Sequence, residues 1–322
     1  MTTREICAFN GDADGLCALQ QLRLAEPGEY VELISGTKRE TTLVERVRAG
    51  VGDRVTVLDM SFDSNRHAVE RLLGAGAQVR YFDHHYAGAV PGHANFEAYL
   101  DASPRTCTSA IVDRYLNGRV RLWAIVGAYG DNLDETAAAL ADEAGLPADR
   151  RAALRRLGVA LNYNAYGETE ADLFFAPLVL HERLVRYRDP FEFIEADAAF
   201  DKLWQGYTGD LALTEALAPV AASGAAAAYR LPDAPWARRV NGVFANRLAR
   251  SNPKRAHAVL LPTTLGGMTI SVRSPLERPA GAAALCRQFP GGGGREGAAG
   301  ITNLPLSQVE DFLHRFMLQF GS

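Results

Sequence analysis

Short apolar segments alternate with segments of helical periodicity along the first part of the chain. The predicted strands are residues 5–9, 31–34, 54–58 and 78–82. The predicted helices between them are residues 16–24, 41–51 and 65–73. The strand segments are short and rich in β-branched or aromatic residues, and the helical segments repeat their apolar residues at helical spacing. Strands that alternate with helices in this way are typical of an α/β protein with a doubly wound, mostly parallel sheet.

Three of the predicted strands end in acidic residues. Residues 5–9 run into Asn10-Gly11-Asp12-Ala13-Asp14-Gly15, residues 54–58 into Asp59, and residues 78–82 into Asp83-His84-His85. A further apolar segment, residues 122–127, leads to Asp131, which we expect at another strand end. Because parallel strands bring their carboxyl ends to one edge of the sheet, we expect these side chains to lie close together.

The pattern becomes mainly helical after residue 101. Thr108 is placed to cap a helix over residues 109–116. Helical periodicity also covers residues 135–162 and 172–187, before the composition changes at Asp189-Pro190. Beyond it, β-like runs at 240–244, 257–261 and 268–272 and an amphipathic helix at 306–316 predict a smaller α+β domain. The predicted division is a domain over residues 1–190, a helical connector over 191–228 that includes the alanine-rich segment 221–228, and a domain over 229–322.

Composition narrows the class of protein. The chain has 322 residues, of which 48% are hydrophobic and 22% charged, as in soluble globular proteins. Its net charge of −4 offers no general attraction for a phosphate polymer, so we expect a small, locally held substrate and not long nucleic acid. The four cysteines are scattered without a CxxC pair, which favours reduced thiols over disulfides or a zinc site.

Location and assembly are weakly constrained. Residues 1–5 lead into the first predicted strand without a signal-like apolar segment. No apolar run approaches the roughly 20 residues that a membrane-crossing helix needs. We therefore expect a cytoplasmic protein with no membrane partner, and a homodimer is left open.

The acidic and imidazole side chains point to a divalent metal. Carboxylates with some imidazole suit Mn²⁺, and a pair of ions needs a carboxylate that bridges them. Each motif alone has a simpler explanation: an aspartate after a strand is commonly a cap or turn former, and Asp12-Ala13-Asp14-Gly15 could be a turn or a weak calcium loop. Two imidazoles at the mouth of a core strand are harder to explain without a function. Several segment ends directed to one crevice favour a catalytic metal site.

These motifs together resemble the DHH phosphoesterase superfamily. The resemblance is carried by Asp83-His84-His85, residues 10–15, Asp59 and residues 127–132. The glycine-rich segment 292–300, preceded by residues 270–274, is similar to the associated DHHA1 substrate-binding domain. The resemblance covers nearly the whole chain. It implies Mn²⁺-dependent hydrolysis at a two-metal site in the cleft between the DHH and DHHA1 domains, in a family that includes NrnA-type oligoribonucleases, dinucleotide phosphodiesterases, RecJ exonucleases and polyphosphatases.

The resemblance also implies a role for each residue. The implied metal ligands are Asp12, Asp14, Asp59 as the bridge, His84 and Asp131, with Asn10 as a weaker ligand. Asp83 would orient an imidazole, and His85 would face the scissile phosphate. The implied substrate-binding groups are Arg273, Arg295, Arg105 and the backbone amides of Gly293 and Gly294. Asn10 and Arg295 stand where the family usually has histidine, which affects metal affinity at the first position and substrate identity at the second.

The predicted function is that of a Mn²⁺-dependent phosphodiesterase that hydrolyses short oligonucleotides or linear dinucleotides to nucleoside monophosphates by a two-metal mechanism. Within the enzyme class, an exopolyphosphatase or a nucleoside-bisphosphate phosphatase is the alternative. From a different class, a non-catalytic nucleotide-binding sensor is also consistent with a metal site weakened at Asn10. Base preference, polarity of attack and oligomeric state are left open.

Overall fold

The computed structural model describes residues 4–26, 28 and 30–321, with residues 30 and 31 described by their backbone alone. The chain forms two compact units, Met1–Gln205 and Gly206–Ser322. This division falls inside the stretch 191–228 that the sequence predicts as a connector. The expectation about a leader segment rests partly on residues 1–3, which lie outside the described residues.

The first unit combines a parallel sheet with helices. Its strands are β1 Glu5–Phe9, β2 Tyr30–Ile34, β3 Arg54–Leu58, β4 Gln78–Asp83 and β5 Phe96–Leu100. Its helices are α1 Ala13–Ala25, α2 Phe62–Gly74, α3 Thr108–Tyr115, α4 Arg121–Gly130, α5 Asp134–Glu143, α6 Ala148–Ala165, α7 Pro177–Leu184, α8 Pro190–Ala196 and α9 Ala198–Leu213, within which the second unit begins. The five strands are all parallel, in the order β2-β1-β3-β4-β5.

Both faces of this sheet are buried. Alternate residues of β1 enter different cores: Ile6 and Ala8 pack on the face covered by α2, and Cys7 and Phe9 on the face covered by α1, α3 and α4. A strand buried on both faces has no polar side, which is why residues 5–9 form a nearly continuous apolar run. The predicted doubly wound parallel sheet is confirmed.

The strand order reverses at β1, which has β2 on one side and β3 on the other. The chain leaves β1 for α1 on one face of the sheet and leaves β3 for α2 on the opposite face. The carboxyl ends of these two strands therefore border a crevice, and open α/β sheets bind their ligands at such a crossover. Asp12 and Asp59 follow the two strands that flank it.

The second unit contains a mixed sheet. Its strands are β6 Ala221–Ala222, β7 Ala226–Arg230, β8 Ala256–Pro262, β9 Gly267–Arg273, β10 Gly292–Gly294 and β11 Ala298–Pro305, and its further helices are α10 Pro235–Ser251, α11 Ala282–Cys286 and α12 Val309–Phe320. The sheet order is β10-β11-β9-β8-β7-β6, with β7 and β8 parallel and the other pairs antiparallel. This is the predicted α+β architecture. The alanine-rich segment 221–228, predicted to be connector, contributes β6 and part of β7.

Several element predictions are wrong. The helix expected over 41–51 is a single 3-10 turn, Leu43–Arg46, whose neighbouring backbone groups hydrogen-bond with Asn65 of α2. Its side chain accepts the N–H of Val44 and donates to the carbonyl of Thr41. Residues 240–244, expected to be a strand, lie in α10. The apolar residues of this helix lie on one of its faces. Strand β5 was not predicted because it is an edge strand whose side chains are half-buried or exposed.

The segment before Asp131 is also a helix and not a strand. Residues 123–130 of α4 are all buried, so the helix shows a continuous apolar run without amphipathic periodicity. Asp131 is the residue that follows its last turn. Thr108 is the first residue of α3 instead of its cap, and Cys107 occupies the cap position.

The structure also bears on the cysteines and on the expectation that no segment crosses a membrane. Cys7, Cys17, Cys107 and Cys286 are buried and form no disulfide among the described residues. Within the same part of the chain, no helix has the length and apolar character that crossing a membrane requires.

Candidate metal centre

The turn after β1 fixes the first acidic residue. Oδ1 of Asp12 accepts the backbone N–H groups of Asp14 at 3.0 Å and Gly15 at 3.1 Å, and so caps α1. The side chain of Asn10 accepts the N–H of Asp12 at 3.3 Å. The turn is so tight that a Cβ at position 15 would lie 2.2 Å from the carbonyl oxygen of Asn10. Glycine at this position therefore allows α1 to start directly beside the strand end.

Asp14 is buried and caps a second helix from outside. Its Oδ2 accepts the backbone N–H of Thr108 at 2.7 Å, and its Oδ1 accepts that of Ser109 at 2.8 Å. The first N–H groups of α3 have no acceptors within their own helix, and the helix dipole favours negative charge there. Each carboxylate oxygen has a second lone pair, so Asp14 can still coordinate a metal.

Asp59 has an uncommon backbone conformation. Its φ is 59°, in the left-handed region that aspartate enters more readily than most non-glycine residues. The hydroxyl of Thr108 donates to its Oδ1 at 3.0 Å. Such backbone strain is concentrated at functional sites. In Asp59 the strained backbone carries a buried carboxylate, at the edge where the strand order of the sheet reverses.

His84 brings the acidic groups together. Its Nε2 lies 3.4 Å from Oδ1 of Asp59, 3.8 Å from Oδ2 of Asp131 and 4.0 Å from Oδ2 of Asp14. Asp131 arrives from the end of α4, while His84 follows β4 directly. The structure therefore assembles three of the implied carboxylate ligands around one imidazole.

Asp83 and His85 form a separate pair beside this group. Oδ1 of Asp83 lies 2.6 Å from Nδ1 of His85, and Oδ2 accepts the backbone N–H of Phe62 at 3.2 Å. Asp83 is completely buried, whereas 44% of the His85 side chain is exposed. The buried carboxylate thus holds Nδ1 of a partly exposed imidazole, and Nε2 is the nitrogen that does not face Asp83.

The donor atoms fit a divalent ion. Ligand atoms of Asp59, His84 and His85 lie within 4.8 Å of one another, and so do those of Asp14, His84 and Asp131. Carboxylate oxygens with imidazole nitrogen form the donor set that suits Mn²⁺. Asp12, implied as a ligand by sequence, belongs to neither group.

Burial and mutual repulsion both disfavour ionisation of the acidic residues. Burial, and then the charge of Asp59, raise the pKa of Asp14 to about 7. Burial, and then the charge of Asp12, raise the pKa of Asp59 to about 6, and burial raises that of Asp131 to about 6 as well. Burial alone would lower the pKa of His84, but its contact with Asp59 and the charge of Asp14 raise it to about 10. A cluster of carboxyls that resists ionisation is one that a bound cation would stabilise.

Two residues of the site were missed by sequence reasoning. Lys38 follows β2, and its Nζ lies 2.5 Å from Oδ2 of Asp12 and 3.6 Å from Oδ1 of Asp131. Thr108 is predicted only as a helix cap, but its hydroxyl and its backbone N–H bind two of the carboxylates. A signal existed for Lys38, because it follows a predicted strand that pairs with β1 and so reaches the same sheet edge.

The predicted substrate-binding residues of the second unit are gathered at one turn. Arg273 of β9 pairs with Ala298 of β11, and the backbone of Ala298 exchanges hydrogen bonds of 2.9 and 3.2 Å with Arg295. Gly293 and Gly294 belong to the edge strand β10. The Nε of Arg273 donates to the side chain of Asn246 at 2.8 Å.

Arg105 lies in the first unit, in the loop before α3, where it is exposed. Its carbonyl oxygen accepts the hydroxyl of Thr136 at 2.8 Å. The loop therefore has a fixed connection to α5, while the side chain of Arg105 is open to solvent.

No protein-family model and no curated protein matches the sequence. The fold is nevertheless similar to that of solved structures over 98% of the chain. An exonuclease RecJ bound to manganese has 19% identity and a TM-score of 0.63, with 89% of its chain covered. RecJ from Thermus thermophilus in complex with Mn²⁺ has 18% identity and a TM-score of 0.66, and our chain covers 52% of it, about half its length. The pGpG-specific phosphodiesterase PggH from Vibrio cholerae has 12% identity and a TM-score of 0.58, with 98% covered.

Structural similarity at identities this low establishes the fold and nothing more. Because two of these structures are RecJ, a member of the family named by the sequence motifs, the fold implied by that resemblance is confirmed. The chain shares its α/β fold with these proteins.

Proposed function

We propose that the chain is a Mn²⁺-dependent phosphodiesterase that cleaves short oligonucleotides or linear dinucleotides to nucleoside monophosphates. The observation that carries this proposal is the meeting of Asp14, Asp59 and Asp131 at Nε2 of His84. Support comes from structures of the same fold, described as a manganese-bound exonuclease and a pGpG-specific phosphodiesterase. The net charge of −4 favours short substrates over long ones.

The residues around His84 would hold the metal. A divalent ion bound there would lower the pKa of a water molecule and neutralise charge on the phosphoryl oxygens. The residues that would hold it are Asp14, Asp59, His84 and Asp131, and Asp12 and Asn10 would supply donors for a second ion. Thr108 would keep Asp59 in place, since its hydroxyl already binds one oxygen of that carboxylate.

His85 would supply the proton for the leaving group. Its Nδ1 faces Asp83 at 2.6 Å, which leaves Nε2 as the nitrogen that can point to a substrate. Asp83 would hold the ring in one orientation and stabilise its protonated form. A protonated Nε2 can then donate to the departing ribose oxygen, which is general acid catalysis.

Basic groups outside the metal centre would bind the rest of the substrate. Arg273 and Arg295 are suited to phosphate because a guanidinium donates two parallel hydrogen bonds. The edge position of Gly293 and Gly294 leaves one side of the β10 backbone outside the ladder, where N–H groups can meet an anion. We propose Arg105 as an additional phosphate contact from the first unit.

A substrate panel tests the proposal. Metal-stripped protein is supplied with Mn²⁺ and given linear dinucleotides, short oligoribonucleotides, a cyclic dinucleotide, a nucleoside bisphosphate and polyphosphate, and the products are resolved by chromatography. We expect nucleoside monophosphates from the first two, and loss of activity with chelator. Asp59→Asn should abolish turnover, while the exposed Asp149→Asn serves as the matched control.

Two other results of the substrate panel would change the proposed substrate or contradict catalysis. Cleavage of the bisphosphate or polyphosphate alone would replace the substrate class but keep the metal chemistry. Nucleotide binding without turnover of any substrate, unchanged in Asp59→Asn, would contradict catalysis and support a sensor.

A further inference from the structure

Lys38 places a positive charge inside the metal centre. It follows β2, whose carboxyl end lies at the same sheet edge as those of β1 and β3. Its Nζ lies 2.5 Å from Oδ2 of Asp12 and 3.6 Å from Oδ1 of Asp131. Only 26% of the Lys38 side chain is exposed, and Asp12 is almost fully buried. This ion pair is therefore enclosed by the protein, unlike a solvated surface pair.

The backbone and side chain of Lys38 are both held in place. Its N–H donates to the carbonyl of Ala165, at the end of α6, at 3.1 Å. Its Nζ lies 5.5 Å from the ring centroid of Tyr166, within the range of a cation–π contact. The neighbouring Thr37 N–H donates to the side chain of Glu40 at 3.0 Å, which stabilises the turn. The ammonium is thus directed to Asp12 by two separate elements, β2 and α6.

Asp12 has little capacity left for a metal ion. Its Oδ1 already accepts two N–H groups, which occupy both of its lone pairs. Its Oδ2 faces Lys38, and a divalent ion on the same oxygen would lie within a few ångströms of the ammonium and repel it. The two groups of donor atoms that fit an ion contain Asp14, Asp59, Asp131 and the two histidines but not Asp12.

We propose that Lys38 is a resident cation that makes two divalent-ion positions unequal. The free protein binds one ion tightly on the His84 side, and a second ion binds at Asp12 only when the ammonium moves away. This inference depends on the proposed function only in that both place Mn²⁺ at this centre. It assigns Lys38 the role of setting how many ions are bound, which is a measurable property independent of turnover.

The test is a Mn²⁺ titration of the metal-stripped full chain by calorimetry, with the bound ions observed by electron paramagnetic resonance. We expect one tight ion in the wild type, with a second at least tenfold weaker. Lys38→Met removes the charge and keeps much of the length, so it should tighten the second step at least tenfold and produce the signal of two coupled ions. Lys38→Arg keeps the charge and should keep the inequality. Lys254→Met, at an exposed lysine of the second unit, is the matched control and should titrate as the wild type.

The wild-type titration alone can overturn the inference, so the result does not depend on the folding of a variant. Two ions of equal affinity in the wild type would refute it, as would a second step unchanged in Lys38→Met. Failure to bind any Mn²⁺ would refute both this inference and the proposed metal centre. Binding of one tight ion without hydrolysis of any substrate would refute the proposed function alone.

Discussion

The carboxylate of Asp83 lies 2.6 Å from Nδ1 of His85. The residue before His85 is also a histidine, His84, but it has a different partner. Nε2 of His84 faces Asp59 instead, at 3.4 Å. The two imidazole rings lie 4.4 Å apart between centroids and are tilted by 53°. Adjacent histidines thus have different carboxylate partners: His84 lies among Asp14, Asp59 and Asp131, and His85 is held by the buried Asp83. A ligand atom of His85 nevertheless also lies within 4.8 Å of ligand atoms of Asp59 and His84.

If His85 donates the proton to the leaving group, its loss should depend on the substrate. We expect His85→Gln to lower kcat about 10²–10⁴-fold on a dinucleotide. The loss should be much smaller on a p-nitrophenyl phosphodiester, whose leaving group needs no proton. Asp83→Asn should lower kcat on the dinucleotide about 10–100-fold, as expected for a residue that orients another. Equal losses on both substrates in steady-state kinetics would contradict the proton-donor role.

Neutralising Asp59 should separate metal binding from folding. Asp59→Asn keeps a residue type that tolerates the φ of 59°, whereas alanine there adds roughly 1–2 kcal/mol of backbone strain. Without metal, the variant should melt at or above the wild-type temperature, because one of several repelling buried carboxyls is removed. Mn²⁺ at about a hundred times its Kd should stabilise the wild type by about 2.7 kcal/mol and the variant by much less. Thermal unfolding with and without Mn²⁺ measures both effects, and equal metal stabilisation of the two proteins would argue against Asp59 as a ligand.

Thr108 should act through its hydroxyl. Thr108→Val keeps the shape and the backbone N–H bound to Asp14 but removes the donor to Asp59. We expect Mn²⁺ affinity to fall about 10–100-fold, the usual effect of losing a group that orients a ligand. Thr108→Ser should restore most of the affinity, as measured by calorimetry. A similar loss in both variants would instead indicate that the methyl group and packing matter.

Two buried histidines should make the protein less stable in acid. Burial lowers the pKa of both His181 and His257 to about 4, below the usual 6.5. Between pH 6.5 and 4 the unfolded chain binds protons that the folded chain does not, so stability is lost as the pH falls through this window. Each histidine contributes at most roughly 3 kcal/mol to the loss.

The replacements His181→Leu and His257→Leu should each flatten the dependence of unfolding free energy on pH. The exposed His67→Gln is the control and should leave the dependence unchanged. Urea unfolding at a series of pH values makes the comparison. An unaltered slope in the leucine variants would show that other groups cause the acid sensitivity.

Local sequence was enough to predict four of the five strands of the parallel sheet and the polar residues at their ends. This is possible because a buried strand is a short apolar run, and because its carboxyl end has a defined place in a parallel sheet. Asp12, Asp59 and His84 could therefore be placed at one edge from their position after apolar runs. Local sequence was not enough for the glycine-rich segment 292–294. Its composition is compatible with a flexible loop, whereas in the structure it is an edge strand.

Tertiary packing determines which groups meet at that edge. Asp131 approaches from a helix, and it arrives because α4 packs tightly on α1: a Cβ at Gly130 would lie 2.3 Å from that of Ala13. Lys38 and Thr108 reach the carboxylates from segments distant in sequence, through contacts that hydrophobic periodicity does not encode. The strand ends and their chemistry follow from the chain alone, because they depend on neighbouring residues. The charge balance at the site follows only from the folded chain, because an ion pair or a hydrogen bond between distant segments exists only after those segments have packed.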